Sequence, residues 1–211
     1  MHSQAKKISA GRPKSDEKRR KILTSAATLF LSQGFERTSM DAVAKHSGVS
    51  KQTVYSHFTN KDVLFNAVIE KKCRMHKIDD SNICSLSQPL ATLLENIGLC
   101  VVRLLVDPEV ISMYATVIAE SKSNPHVAEL FYEIGPKYSV MLVSSLLQEH
   151  PESKLDEHQS LELSMDFFNM LKGEYHARAI FNMDFEMTEQ NQQILAKRTA
   201  EKLMLLIQAA K

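Results

Sequence analysis

The sequence predicts an all-α fold of about nine helices, and three observations carry that prediction. Apolar residues recur at helical spacing along nearly the whole chain. Strand-like alternation is absent, as are the Asn-Gly and Asp-Gly pairs that mark tight hairpins. Capping Ser, Thr, Asn and Asp residues, and stopping Gly and Pro residues, punctuate the periodicity at short intervals. The 211 residues are 44% hydrophobic and 24% charged, with six Gly and six Pro. That composition excludes a disordered or collagen-like chain and allows one large domain or two small ones.

The elements follow in order. Ser15 can cap a first helix, with Asp16 and Glu17 in the turn whose dipole favours acids. Ile22, Leu23, Ala26, Ala27, Leu29 and Phe30 supply its apolar face, and Gly34 ends it. Thr38-Ser39-Met40-Asp41 is a start signal for a short second helix that carries Met40, Val43 and Ala44 inward and stops at Gly48. Ser50 caps a third helix, Lys51 to Phe58, and Thr59-Asn60-Lys61-Asp62 starts a fourth that runs into Lys71-Lys72. A polar loop follows Lys77. Further helices span Pro89 to Val106, Glu109 to Glu120, His126 to Ile134 (ended by Gly135-Pro136) and Lys137 to Glu149. The two longest patterns are Leu155 to Phe181 and Thr188 to Ala210.

The net charge of +1 conceals a division. Met1 to Lys61 holds 12 Lys/Arg against 4 Asp/Glu, a surplus of +8, whereas the remainder holds 14 against 21, a deficit of −7. A basic N-terminal unit is the footprint of a protein that meets phosphates, although basic tails also serve as solubilising charge. Cys73, Cys84 and Cys100 form no close pair, which excludes a disulfide framework and a zinc knuckle. The N-terminal residues contain no apolar stretch of a signal peptide, and Ile97 to Val106, the most apolar run, is too short to span a bilayer. A soluble cytoplasmic protein without a membrane partner is expected.

Thr38 to Lys61 reads as helix, turn, helix. Gly48 suits the positive φ of the turn. Val49, Val54 and Phe58 share one face and pack inward, which leaves Lys51, Gln52, Thr53, Tyr55, Ser56 and His57 outward or on the rim. That surface offers hydrogen-bond donors of several lengths and no carboxylate. Base edges and phosphate oxygens accept such donors, and a helix of about 12 Å fits a major groove.

Lys21 to Phe65 closely resembles the DNA-binding domain of the tetracycline-repressor (TetR/AcrR) family. The likeness includes the Ala-Ala…Leu-Phe…Gly-Phe pattern, the Gly-Val-Ser turn, and Thr-Val-Tyr-x-His-Phe followed by Lys-Asp. The resemblance implies a basic arm over 1–15, a DNA-binding domain over 16–76 with its helix-turn-helix at about 39–58, and a regulatory ligand-binding and dimerisation domain over 77–211. It places Lys51, Gln52, Thr53, Tyr55, Ser56 and His57 in the major groove. Tyr55, His57 and Lys61 fall on phosphate-clamping positions, and Ser39 on a position of backbone contact. Lys51, Gln52 and Ser56 are the candidates for base reading. Ser56 departs from the aromatic residue frequent at that position, which puts a stacking contact there in doubt. Arg12, in Gly11-Arg12-Pro13-Lys14, either enters a minor groove, as in some members, or only adds charge. Lys18 to Lys21 form a diffuse phosphate-facing field.

Tyr114 to Pro136 resembles the C-terminal region of the AefR-like subgroup. The family's dimer forms through its last two helices, which assigns Leu161, Met165, Phe168, Leu171 and Tyr175, with Leu203, Leu206 and Ile207 of the apolar run Leu203 to Ile207, either to a homodimer interface or to the chain's own core. A pocket for a small hydrophobic effector falls among Leu99, Val102, Met113, Tyr114, Val117, Phe131, Tyr138, Met141, Phe167 and Met170, residues that serve equally as plain core. Glu120 and His176 are possible polar anchors, with a surface or hydrogen-bonded helix position as the alternative for each.

The expected function is therefore a homodimeric repressor on a pseudo-palindromic double-stranded DNA operator, released by a small hydrophobic ligand. A regulator controlled by a protein partner, or by nothing, is the alternative. An enzyme is not expected, because the chain lacks a phosphate-binding loop, a nucleophile elbow and a zinc-protease helix. No cofactor and no metal are expected either, since no His pairs with another His, Cys or carboxylate in a ligand pattern. The cysteines, Cys84 foremost, remain either oxidant sensors or inert small side chains.

Overall fold

The computed structural model describes residues 12–76 and 87–210, with side chains from Ser15 onward. The arm up to Gly11, the side chain of Arg12, the polar loop with Cys84, and Lys211 lie outside the described residues. The elements are α1 (Arg12–Arg37), α2 (Met40–Ser47), α3 (Lys51–His57), α4 (Lys61–Met75), α5 (Leu90–Leu105), α6 (Pro108–Ser121), α7 (Pro125–Tyr132), a π-helical turn (Glu133–Lys137), α8 (Tyr138–Glu149), α9 (Glu157–Ile180) and α10 (Glu189–Ala209). Because α7, the π turn and α8 run on without a break, the described residues form nine helical rods and contain no strand. They fall into two compact units that divide within α4, between Val68 and Ile69.

The first unit is built by its caps. Ser39 Oγ accepts from the Ala42 N–H, Ser50 Oγ from Thr53, and Asn60 Oδ1 from Val63, so each helix start has a side-chain acceptor for an orphan donor. Gly48 closes α2 at φ 69° with its N–H donated to the Ala44 carbonyl. α1 begins at Arg12 and not after Ser15, because Pro13 in its first turn has a preset φ and no N–H to leave unsatisfied. Asp16 and Glu17 accordingly fall after the first turn. Gly34 (φ 86°) breaks the helix where expected, and one more turn continues to Arg37. Ile22, Ala26, Phe30, Val43, Val54 and Leu64 are fully buried. Phe35 and Phe65 meet edge to face at 5.0 Å, and Phe30 meets Phe65 at 5.1 Å, which locks α1 onto α4.

The second unit centres on α5 against α10. A Cβ at Gly98 would meet Ala196 Cβ and Leu171 Cδ2 at 3.4 Å, so glycine permits the close approach of the two helices. Val102, Val143, Leu147, Phe167, Leu171, Ala196, Leu203 and Ile207 fill the core. Of the residues that the sequence leaves to a dimer interface or to the chain's own core, Phe168, Leu171, Tyr175, Leu203 and Ile207 are buried, Leu161 is half-buried, and Met165 and Leu206 are exposed. α10 packs Ala196, Leu203 and Ile207 into the core and leaves Ile194, Leu205 and Leu206 exposed.

Two local breaks differ from expectation. Gly135-Pro136 does not end a helix. The π turn widens there, which eases Pro136 into a continuous rod, and Ser139 Oγ donates to the Gly135 carbonyl at 2.9 Å. The extra residue in the turn shifts the register of α8 by about 100°. Tyr138 and Met141, assigned to an interior pocket, are exposed on this rod at 41% and 45%. Of the other pocket candidates, Val102, Met113, Val117, Phe131 and Phe167 are buried, and Leu99, Tyr114 and Met170 are half-buried. The second break lies inside α9, at Gly173 (φ 54°, ψ −171°).

Candidate nucleic-acid interface

α3 separates core from surface residue by residue. Val54 and Phe58 are buried, Thr53 and His57 are half-buried, and Lys51, Gln52, Tyr55 and Ser56 are exposed, Tyr55 at 49%. A large phenol left half in water carries a contact ring and a hydroxyl together. Ser50 Oγ and Thr53 Oγ1 lie 2.8 Å apart, and Ser56 Oγ donates to the Thr53 carbonyl at 2.8 Å. Both serines thus hold the helix as well as face solvent.

The flanking elements add donors. Ser39 is exposed, and because its oxygen already accepts from Ala42, its own O–H remains to be given outward. Lys18, Arg19, Arg20 and Lys21 are all exposed along α1. The Arg19 guanidinium lies 5.1 Å over the Phe58 ring, which fixes one cation beside the end of α3. Lys61 is half-buried: its Nζ donates to the Phe35 carbonyl at 2.9 Å and lies 4.2 Å over the Phe35 ring. A phosphate at Lys61 has to share it with that carbonyl.

Sequence reasoning missed one partner. Asp41, in the first turn of α2, pairs with the exposed Lys51 Nζ at 2.5 Å. The face of α3 has no acid of its own, but its neighbour lends one. The separation of ten positions across a turn gives no periodic signal; only the packing of α2 on α3 brings the two side chains together.

Within the second unit the titratable groups form two clusters. Asp107 caps α6 by accepting from the Glu109 N–H at 2.9 Å, and it also binds Lys72 Nζ (2.8 Å) and His76 Nε2 (2.9 Å) at the end of α4. Burial pushes its carboxyl up, but the Lys72 and His76 bonds outweigh burial and hold it below the usual range. Burial likewise opposes the charge on Lys72, yet its bonds to Asp107 and Glu109 raise it overall. The second cluster is aromatic: Tyr114 meets Phe131 edge to face at 4.8 Å and His176 at 5.2 Å. His176 does not lie at the surface. It is buried, and its Nε2 has no partner. Glu120 is half-buried. Among the described residues no group of His, Cys, Asp and Glu could hold a metal ion, and no helix is long and apolar enough to cross a membrane.

Known proteins share both units. Residues 22–68 match the model of bacterial regulatory proteins of the tetR family, and residues 92–205 match that of the AefR-like transcriptional repressor C-terminal domain. The transcriptional activator FasR of Mycolicibacterium smegmatis is 32% identical over 81 residues, 38% of this chain and 34% of FasR. The transcriptional repressor ComR of Escherichia coli is 39% identical over 69 residues, 33% of this chain and 32% of ComR. The matched stretch thus spans about a third of each of these curated relatives. Among solved structures, a TetR-family regulator from Mesorhizobium loti has a TM-score of 0.71 at 26% identity, and the flavonoid-responsive regulator FrrA has 0.68 at 27%; each match covers 90% of this chain and 96% of the other. These relatives are regulators of transcription and not enzymes. With one family model on the helix-turn-helix unit and a second over more than half of the chain, the protein belongs to the TetR family of DNA-binding transcriptional regulators, with an AefR-like C-terminal domain.

Proposed function

We propose that this regulator is a homodimeric repressor that a small hydrophobic molecule releases from a pseudo-palindromic operator. The observation that carries the reading is the outward face of α3, where Lys51, Gln52, Tyr55 and Ser56 stand exposed on a finished core. Lys51, Gln52 and Ser56 read base edges. Tyr55, His57, Lys61 and Ser39 hold phosphates, and Thr53 lies at the rim. Arg12 adds charge or reaches the minor groove. Two copies of α3 read two half-sites, and the spacing of the half-sites reports the symmetry of the dimer.

Three observations support the finer points. The names of relatives point to both activation and repression, but the match over 92–205 is to a repressor domain, which favours repression. Met165 on α9 and Ile194, Leu205 and Leu206 on α10 are exposed apolar residues on the two helices that the family uses for pairing. FrrA, similar over nearly its whole length, responds by its name to a small molecule. A ligand acts only through a difference in affinity between the DNA-competent and released states, and DNA must weaken the ligand by the same factor.

The test begins with an operator selected from random-sequence duplexes. Lys51→Ala with Tyr55→Ala abolishes its specific binding while the circular dichroism of the full chain is unchanged. Wild-type affinity falls steeply as salt rises, because phosphate contacts release counterions. A flat salt dependence, or specific binding that survives the double substitution, overturns the interface. Leu205→Glu with Met165→Glu yields a monomer in sedimentation if α9 and α10 pair, and leaves the dimer intact if they do not.

A further inference from the structure

His176 lies three residues beyond Gly173, whose φ of 54° and ψ of −171° only glycine adopts at low cost. That break resets the register of the last turns of α9 and turns Tyr175 and His176 inward together; both are buried. His176 is 7% exposed, and its Nε2 is closed off from the surface without a hydrogen-bond partner. His150, at 3% exposure, shows what a structural buried histidine looks like in this same unit: Nδ1 accepts from the Glu152 N–H at 3.2 Å, and Nε2 donates to the Gln88 carbonyl at 3.0 Å. An unpartnered buried nitrogen is a cost to folding that a bound group can remove.

The surroundings specify what kind of group. Tyr114 of α6 stands edge to face with His176 and in turn with Phe131 of α7, and the Tyr175 ring lies 6.4 Å from His176. Tyr175 is already satisfied, since its hydroxyl donates to the Leu171 carbonyl at 2.8 Å. The cluster is held neutral. Burial, with the Lys172 charge behind it, pushes the His176 imidazole down to about 4. Burial pushes the Tyr114 phenol up to about 12, with Cys73 of α4 in electrostatic reach, and raises Tyr175 as well. The π turn that follows Phe131 is an irregularity of the kind that recurs at functional sites.

We propose that the Tyr114–Phe131–His176 cluster is the effector site, that His176 Nε2 is its hydrogen-bonding anchor, and that its ligands are uncharged planar aromatic molecules bearing a hydroxyl group. The proposal rests on the ligand-controlled reading above and gives it a place and a chemistry. Aromatic faces and edges favour a flat ring. A neutral imidazole offers at Nε2 either an N–H or a lone pair, and a hydroxyl answers both because it donates and accepts. The rings of Tyr114 and His176, 5.2 Å apart, admit no other ring between them, so the proposed binding requires Tyr114 to turn aside.

The experiment titrates the full chain with 2-naphthol, with 2-methylnaphthalene as its match without the hydroxyl, and with 2-naphthoate, which asks whether Lys172 recruits an anion instead. Calorimetry gives the affinities, and the imidazole nitrogen resonances of labelled histidine give the site. The expected result is roughly tenfold tighter binding of 2-naphthol than of 2-methylnaphthalene, with the His176 resonance shifting. The preference disappears in His176→Leu and is retained in part by His176→Gln. Equal affinity for the neutral pair, tightest binding of 2-naphthoate, no binding of 2-naphthol, an unmoved His176 resonance, or an undiminished preference in His176→Leu each overturns the proposal. Should His176→Leu fail to fold, the wild-type resonance decides alone. Release from the selected operator is measured separately. His176-dependent binding without release leaves the site standing and removes the ligand-controlled reading; release by a compound that leaves His176 unmoved does the reverse.

Discussion

The outer face of α3 and the surroundings of His176 both hold polar groups that await a partner, but they hold them in opposite ways. On α3 the donors stand in water on a completed core: Val54 and Phe58 face in, Gln52 and Tyr55 face out, and neither set depends on the other. Around His176 the polar atom is itself part of the core and is unsatisfied there. A rigid polymer is read from outside, so its reader can finish folding first. A molecule that becomes enclosed needs an interior left incomplete until it arrives. If His176 anchors the effector as proposed, function and stability are separable in the first unit and entangled in the second.

The largest effect tests the separation. Phe65→Ala removes a fully buried ring from the aromatic trio of the first unit and lowers stability by about 3–5 kcal/mol. Gln52→Ala changes stability by less than about 0.5 kcal/mol, yet weakens binding to the selected operator. Urea denaturation of the full chain beside operator titration checks both. A Gln52→Ala cost comparable to that of Phe65→Ala breaks the contrast.

Legibility in the sequence follows the same division. The helix-turn-helix was readable because its signals are local: Ser39, Ser50 and Gly48 act within four residues of themselves, and one turn of α3 shows which residues face out. The C-terminal unit gave up its helices for the same reason. Which stripe faces which neighbour was not readable. Leu171 and Leu203 carry the same apolar signal as Met165 and Leu206, and only the approach of α5 at Gly98 decides that the first pair is core. The π turn at Pro136 moved Tyr138 and Met141 off the interior, and the break at Gly173 moved His176 into it. A one-residue change of register leaves almost no trace in a periodic pattern. The Asp41–Lys51 pair and the Asp107 cluster join residues far apart in sequence and were equally hidden.

The entanglement of the second unit has a signature in pH. The folded His176 titrates at about 4, well below the roughly 6.5 of an exposed imidazole. Between those values the unfolded chain binds more protons, so stability falls as pH drops from about 6.5 to about 4 and levels off below. The span amounts to about 3 kcal/mol. Of its neighbours, Tyr114 on α6 and Tyr175 on α9 are both raised, away from that window, and the Lys172 charge on α9 adds to burial in disfavouring the charged imidazole. Carboxylates elsewhere add acid sensitivity of their own, so the difference between wild type and His176→Leu isolates the term. Parallel pH–stability curves for the two proteins contradict a buried neutral imidazole.

Asp107→Ala is the next smaller effect. It removes the cap of α6 and the acceptor shared by Lys72 and His76, at a cost of about 2 kcal/mol. The carboxylate's contribution is present above the ordinary Asp pKa and fades as pH falls through its lowered folded value. Lys72, being raised, contributes below its ordinary pKa and loses that contribution as pH rises through the folded value. Asp107→Asn keeps the cap and isolates the charge. Equal losses for Asn and Ala assign the whole effect to the ion pairs; a much smaller loss for Asn assigns it to the cap.

The smallest effect sharpens what α3 does. Lys51 and Asp41 are both more than half exposed, so their pair contributes at most about 1 kcal/mol to folding. Asp41 also sits in the first turn of α2, where the dipole favours it by a few tenths of a kcal/mol. Asp41→Asn therefore costs well under 1 kcal/mol in stability. On DNA the balance reverses. The substitution frees the Lys51 ammonium and removes an anion that phosphates meet, and affinity for the operator rises a few-fold, on the order of 1 kcal/mol. The slope of log affinity against log salt steepens by up to about one, as one more cation becomes free to displace counterions. Comparison with random duplex separates two roles for the acid. An equal gain on operator and random DNA makes Asp41 a brake on general attraction. A gain on random DNA alone makes it the holder of Lys51 in its reading position, so that the first unit too has sacrificed some affinity for geometry. No gain on either means that Lys51 leaves Asp41 for the duplex without cost, and the face of α3 is as independent of its neighbours as its burial pattern indicates.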